Sequence, residues 1–89
     1  MKKITLCGTE MADMAAVHRF FAEELNFPEW YGSNLDALHD CLTDIRDEDV
    51  VIEITEKEAL AEALGVRYRR FIKALTHAAE ENDHLTLEL

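Results

Sequence analysis

Four polar side chains between residues 36 and 43 have the spacing that places them on one side of a helix. At about 100° per residue, positions i, i+3, i+4 and i+7 project in a similar direction. These positions hold Asp36, His39, Asp40 and Thr43, and the opposite side holds Leu35, Leu38 and Leu42. Carboxylates beside an imidazole can bind a cation, either a basic side chain of another protein or a metal ion. An ordinary solvated helix face has the same pattern and stays open as the alternative.

Two large aromatic residues directly precede this helix. Trp30 and Tyr31 are followed by Gly32, which permits close backbone approach of a partner. Aromatic anchors dominate the energetics of many protein interfaces, so aromatics beside carboxylates favour a binding surface. The alternative is that the rings fold back onto the core, and we expect this for one of the two.

A later helix carries His77 and Glu81 four residues apart, opposite its apolar face. If this helix packs beside the helix at 35–43, the two polar faces form one acidic patch. The pair Asp36 and His39 also admits a metal site, because paired helices with a carboxylate-x-x-His motif can hold metals. Such a site needs the motif in two helices with further glutamates, and this chain has one copy, so metal binding is the weaker interpretation.

Enzymatic chemistry is disfavoured by the placement of the reactive groups. Asp36 and Asp40 lie side by side on a convex helix, whereas a glycosidase needs two carboxylates facing each other across a cleft. Neither Cys7 nor Cys41 has a base at a suitable spacing, and Cys41 falls on the buried side of its helix. The chain also lacks a glycine-rich phosphate-binding loop. These observations favour a small binding protein that needs no cofactor.

The composition of the chain restricts the class of partner. The 89 residues suit one domain, residues 1–89, and 19 acidic against 9 basic residues give a net charge of −10. This charge disfavours nucleic acid and anionic membranes and favours a basic macromolecule. Apolar runs are too short to span a bilayer. Two cysteines without an export signal predict free thiols and a cytoplasmic location.

The hydrophobic periodicity predicts an α/β fold that positions these residues. Strand patterns occur at 3–6, 50–54 and 84–89. Helices are predicted to begin after Asp13, after Ser33 with Asp36 as a capping box, and after Thr55 with Glu58 as another. Gly65 ends the third helix, and a longer helix extends to about residue 81. The order β-α-α-β-α-α-β predicts a three-stranded parallel sheet covered by helices, with the strand order left open.

The segment that carries the polar and aromatic residues resembles a known family signature. Residues 27–43 are FPEWYGSNLDALHDCLT. This is similar to the barstar-family pattern Pro-x-aromatic-Tyr-Gly-x-Asn-Leu-Asp-Ala-Leu-x-Asp-Cys-Leu, found in intracellular inhibitors of barnase-type ribonucleases. Chain length and element order agree with the family as well, so the resemblance covers essentially all 89 residues.

The resemblance implies a mechanism in which the second helix and the loop before it enter the ribonuclease cleft. Asp40 would occupy the site of a substrate phosphate, and Trp30 would stack near the catalytic histidine. The resemblance implies a 1:1 complex with a basic ribonuclease and a monomer when free. The predicted ribonuclease-binding residues are Trp30, Tyr31, Gly32, Asn34, Leu35, Asp36, His39, Asp40, Thr43, Asp44, His77 and Glu81.

Four positions depart from the family pattern. His39 stands where the family has tryptophan, Asp44 and Ile45 replace a Gly-Trp pair, and His77 replaces an acidic residue. These changes leave Asp40 in place but alter the rim of the surface, so the target is either barnase or another secreted ribonuclease or ribonuclease toxin. The alternative function is a barstar-fold protein that binds another basic protein, or a metal ion, without inhibiting a ribonuclease.

Overall fold

A three-stranded parallel sheet organises the protein, which a computed structural model describes over residues 1–89. The strands are β1 (Lys2–Cys7), β2 (Val50–Thr55) and β3 (Leu85–Glu88), and they lie in the order β1-β2-β3. Four of the six residues of β2 are buried, as expected for a central strand covered on both faces. The predicted α/β architecture is confirmed, and the structure adds the strand order that the sequence left open.

Four helices and one short 3-10 turn connect the strands. The helices are α1 (Met14–Glu24), α2 (Leu35–Thr43), α3 (Lys57–Leu64) and α4 (Arg67–Glu81), and the 3-10 turn is Gly8–Glu10. Each helix buries an apolar stripe against the sheet or a neighbouring helix, with Phe21, Leu38, Leu60 and Phe71 fully buried in one core. Helices α2 and α4 pack against each other. None of the four helices has the length and apolar character that a membrane crossing requires.

The helix ends confirm two of the predicted signals and correct two others. Asp13 caps α1 by accepting a hydrogen bond from the Ala16 N–H, and Gly65, with φ of 59°, ends α3. The predicted cap at Thr55 is wrong, because pairing with Cys7 holds this residue in β2. The N-cap of α3 is Glu56, whose side chain forms no capping hydrogen bond.

The predicted cap at Ser33 is also wrong. Its φ of 51° lies in the left-handed region, whereas an N-cap residue has extended backbone. Asn34 has that extended conformation, and its Oδ1 accepts a hydrogen bond of 2.8 Å from the Ala37 N–H. Helix α2 therefore begins one residue later than predicted, and the strained Ser33 directly before the cap redirects the chain from the loop toward the helix.

Candidate protein-binding surface

The polar face of α2 is open to solvent at its two carboxylates. Asp36 and Asp40 are exposed, and the Asp40 side chain is 81% exposed. Thr43 is half-buried, and its Oγ1 donates to the Asp40 carbonyl across 3.1 Å within the helix. The leucines of the opposite face are inward, with Leu38 and Leu42 fully buried. The helix therefore presents free carboxylates from a backbone that the core holds in place.

His39 joins the polar face of α2 to the C-terminal end of α4. Its Nε2 lies 3.3 Å from Glu81 Oε2, and its Nδ1 lies 3.7 Å from Asp40 Oδ1. The expected merging of the two polar faces is therefore seen at Glu81. His77, the other predicted residue of α4, is exposed and forms no ion pair or side-chain hydrogen bond. Of the two predicted residues of α4, Glu81 contacts the polar face of α2 and His77 does not.

The two aromatic residues of the loop before α2 have opposite environments. Trp30 is 85% exposed. Tyr31 turns inward, where its ring packs 4.9 Å from that of Phe27 and its hydroxyl lies 2.5 Å from His18 Nδ1. Burial raises the pKa of Tyr31 and lowers the pKa of His18, so both groups stay neutral near pH 7. Tyr31 anchors the loop, and the Trp30 ring is left exposed to solvent.

The backbone around Gly32 supports the start of α2. A Cβ added to Gly32 would lie 3.1 Å from Asn34 Nδ2, a side chain already engaged in capping the helix. The same Nδ2 donates to the Gly32 carbonyl across 3.4 Å. Leu35 packs partly against the core. In the free protein, Asn34 and Leu35 therefore have structural roles in addition to their predicted place at the surface.

A concave acidic site lies between this loop and the C-terminal half of α2. It is a cavity of about 450 Å³, here called the acidic recess, lined by Asp40, Asp44 and Asp47 together with Trp30 and Cys41, and by no basic residue. The negative end of the α2 dipole points the same way, because Asp44 is the C-cap of the helix. Burial, followed by the charges of Asp44 and Asp40, raises the pKa of the Cys41 thiol. The recess can accept a cationic side chain flanked by an aromatic ring.

Comparison with known proteins identifies the family. The sequence pattern of the family described as "Barstar (barnase inhibitor)" matches residues 1–89. The chain belongs to the barstar family. It is also 32% identical over 81 residues to a protein of Bacillus subtilis (strain 168) named "Putative ribonuclease inhibitor YrdF", and the match covers 91% of this chain and 89% of that protein. The resemblance noted at residues 27–43 is thereby confirmed for the whole chain.

Sequence reasoning missed two residues that hold the surface of this barstar-family protein in place. Asn82 is buried, and its Nδ2 donates to the carbonyls of Leu42 and Ile45 across 2.9 and 2.8 Å. His18 is buried and fixes Tyr31. No local sequence pattern could have marked Asn82, since its hydrogen-bond partners lie 37 and 40 residues away in the sequence. His18 lies on the apolar side of α1 next to Val17, and this placement in the sequence could have marked it as buried.

The proposed metal site gains no support from the side-chain arrangement. No group of three or more histidine, cysteine and carboxylate side chains has a geometry that could hold a metal ion. Cys7 and Cys41 are both unpaired thiols. His39, the residue that suggested a metal ligand, instead faces one carboxylate on α4 and one on its own helix.

Proposed function

We propose that this chain inhibits a basic ribonuclease by placing α2 and the aromatic loop in the active-site cleft of the enzyme. The family description names a barnase inhibitor, and the similar Bacillus protein is named a ribonuclease inhibitor. The observation that carries the proposal is the exposed Asp40 carboxylate at the acidic recess, beside a tryptophan that is 85% exposed. The chain acts as a binding protein and not as an enzyme.

Asp40 is the group that replaces a substrate phosphate. A carboxylate and a phosphate both accept charge-assisted hydrogen bonds from arginine and lysine. The Asp40 side chain forms no hydrogen bond to the protein, and its one contact within 4 Å of an ionisable nitrogen is with His39 Nδ1, at 3.7 Å. It is therefore available to the cations of a cleft that evolved to bind RNA phosphates.

Trp30 and the flanking polar residues complete the surface. An exposed ring loses its contact with water when it packs against a partner, and this makes Trp30 an apolar anchor beside the charged centre. Asp36 and Asp44 extend the negative surface along α2, and Glu81 continues it onto α4 through His39. The proposed complex is 1:1, because one face of one chain carries all of these groups.

The target is a barnase-type ribonuclease or a related ribonuclease toxin. The His39 imidazole, held between two carboxylates, gives this rim a composition different from the tryptophan of the family pattern. A preference for one ribonuclease over another would arise at this rim, whereas the phosphate-replacing centre stays the same. Rim contacts of this kind set partner choice more than total affinity.

The test is inhibition of RNA cleavage by purified barnase, and by any ribonuclease that the immobilised chain captures from a bacterial secretome. Asp40→Ala should weaken inhibition by at least a hundred-fold, since unpairing buried charges costs about 3–5 kcal/mol. Asp36→Ala and Glu81→Ala are the matched controls and should each weaken it less. The free energy of unfolding of each variant, measured by denaturant titration, should lie within about 0.5 kcal/mol of the wild-type value, because the removed side chains are exposed.

Two outcomes would contradict the proposal. Equal loss of inhibition in all three variants would remove the phosphate-replacing role from Asp40. Capture of a basic protein that neither cleaves RNA nor competes with barnase would favour the alternative, a barstar-fold protein that binds another basic partner.

A further inference from the structure

A second and larger cavity lies between the first turns of three helices and the loop that precedes α2. Its volume is about 820 Å³, and its lining includes Met14, Leu35 and Arg67, the first residues of α1, α2 and α4. It shares Phe27 and Tyr31 with the acidic recess, so the two cavities adjoin the same loop. Asp40 and Trp30, the centre of the proposed ribonuclease-binding surface, line the acidic recess and not this cavity.

Three arginines line this second cavity, here called the basic cavity. They are Arg19, Arg67 and Arg70, and Glu29 is the one carboxylate among the lining residues. The chain has 9 basic residues against 19 acidic ones, so the gathering of three guanidinium groups here is opposite to its overall charge. None of the ion pairs in the structure involves an arginine. The three groups are therefore free to bind an anion.

A buried polar group also lines the basic cavity. His18 is 5% exposed, and its single hydrogen bond uses Nδ1 with the Tyr31 hydroxyl. Its Nε2 forms no hydrogen bond to the protein and is reached by solvent, because no buried side-chain nitrogen or oxygen in the structure lacks a partner. A ligand in the cavity can therefore form a hydrogen bond with this nitrogen.

The helix geometry makes the same region more positive. The N-terminal ends of α1, α2 and α4 carry the positive ends of their dipoles, and their first residues all line the cavity. In α4 the positive charge of Arg67 lies at the positive end of the helix dipole, which is unfavourable for the helix. The first turn contains no acidic residue and has no side-chain N-cap to offset this charge. A bound anion would reverse that unfavourable interaction.

The basic cavity also has apolar surface, alongside the polar residues Ser33 and Asn34. Phe27 and Tyr31 contribute aromatic rings, and Met14 and Leu35 contribute aliphatic surface. All four are partly buried against the core, so their positions are fixed before a ligand arrives. The site is an open groove in which these apolar side chains lie beside the charged groups, so both can contact one small ligand.

We infer that the basic cavity binds a small phosphorylated ligand with an aromatic portion, the chemical class of the nucleoside monophosphates. The guanidinium groups of Arg67 and Arg70, with Arg19 across the cavity, hold the phosphate, since arginine matches phosphate geometry with paired hydrogen bonds. The aromatic portion packs against Phe27 and Tyr31. Both parts of the ligand are needed, because the charged groups are exposed to solvent and bind weakly alone.

The test is titration of the ¹⁵N-labelled wild-type chain with adenosine 5′-monophosphate, adenosine and inorganic phosphate, followed by NMR. The monophosphate should give saturable shifts with a dissociation constant below about 1 mM. These shifts should be confined to residues 14–19, 27–35 and 67–70. Adenosine and inorganic phosphate should each bind at least ten-fold more weakly. Equal binding of either fragment, shifts centred on residues 36–44, or no saturable shift would overturn the inference.

Charge variants on one helix provide the matched comparison. Arg67→Gln/Arg70→Gln should weaken binding of the monophosphate at least ten-fold. Arg69→Gln removes the same kind of charge from α4 at an exposed position outside the cavity and should change it less than two-fold. An equal loss of affinity for the monophosphate in both variants would mean that only the net charge of α4 matters. That result would overturn the inference that the basic cavity is the binding site. The wild-type shifts decide the question if the double variant fails to fold.

Discussion

The side-chain amide of Asn82 donates a hydrogen bond of 2.9 Å to the backbone carbonyl of Leu42, across 40 residues of sequence. The last carbonyls of a helix have no partner within the helix, and a buried one needs a donor from elsewhere. The Leu42 carbonyl accepts a long bond of 3.4 Å from the Ile45 N–H, and Asn82 adds the shorter one. Asn82 also donates to the Ile45 carbonyl and accepts from the His84 N–H through Oδ1. One buried side chain thus joins the end of the proposed inhibitory helix to the junction of α4 and β3.

Asn82→Ala should lower the free energy of unfolding by about 1–3 kcal/mol, because it removes the shorter hydrogen bond to the buried Leu42 carbonyl and the side-chain donor of the part-buried Ile45 carbonyl. The measurement is urea denaturation followed by circular dichroism. Asp83→Ala, an exposed neighbour, is the control and should shift stability by less than about 0.5 kcal/mol. Equal losses in both variants would show that the hydrogen bonds of Asn82 contribute little.

Asp44→Asn should stabilise the free protein by about 0.3–1 kcal/mol, because Asp44 places a negative charge at the negative end of the α2 dipole. The same change should weaken ribonuclease binding by removing one carboxylate from the acidic recess. Asp36→Asn removes an identical charge from the favourable first turn of the same helix and should not stabilise the chain. The measurement is the melting temperature of both variants at low ionic strength. A higher melting temperature in both would mean that the lower net charge, and not the position of Asp44 at the helix end, stabilises the chain.

Stability should fall as the pH drops below about 6.5, because burial lowers the pKa of His18 in the folded state. Above the unfolded-state pKa of about 6.5 the imidazole is neutral in both states, so the folded state incurs no penalty. Below it, the unfolded chain takes up a proton first, and stability declines by at most about 1.4 kcal/mol per pH unit until the folded-state pKa is reached. Urea denaturation from about pH 7.5 to 5.5 measures this slope above most carboxyl titrations.

The contribution of His18 is isolated by comparing variants. His18→Asn should flatten the pH dependence while lowering stability at every pH. His77→Gln removes an exposed histidine and should leave the slope of the wild type unchanged. Parallel curves for the wild type and His18→Asn would assign the pH dependence to other groups.

Association with the target ribonuclease should slow as salt is added, because a chain of charge −10 steers a basic partner by long-range attraction. Stopped-flow association rates should fall by at least about ten-fold between 0.05 and 0.5 M salt, while dissociation rates change little. Asp44→Asn/Asp47→Asn should give a shallower dependence, since both charges line the acidic recess. An association rate indifferent to salt would contradict electrostatic steering.

Local sequence patterns were sufficient to predict the fold because each element carries its own periodicity. The alternation at the last strand and the continuous apolar run of β2 gave the correct strands within two residues at either end. Caps depend on the backbone of single residues and were less predictable. Ser33 has the right chemistry for a cap but a left-handed φ, and Thr55 is held in β2 by its pairing with Cys7.

The candidate surface was predictable where it lies on one helix and unpredictable where it depends on packing between elements. The spacing of Asp36 and Asp40 determined their common face. Tyr31, and not Trp30, turns inward to meet His18, a residue of α1 that lies 13 positions earlier. The contact of His39 with Glu81, and the lack of one at His77, depend on how α2 and α4 lie against each other, which no local pattern encodes.

The parallel sheet has a consequence for the speed and order of folding. No strand pairs with its neighbour through a tight turn: Lys2 pairs with Val50, and Val50 pairs with Leu85. Each pairing closes a long loop, so the entropic cost of closure precedes any gain from the ladder, and the sheet forms slowly relative to the helices. During synthesis, α2 emerges well before Asn82, the residue that fixes its far end. Completion of the proposed ribonuclease-binding surface therefore waits for a residue that lies 40 positions after Leu42, and α2 must persist until then without its buried donor.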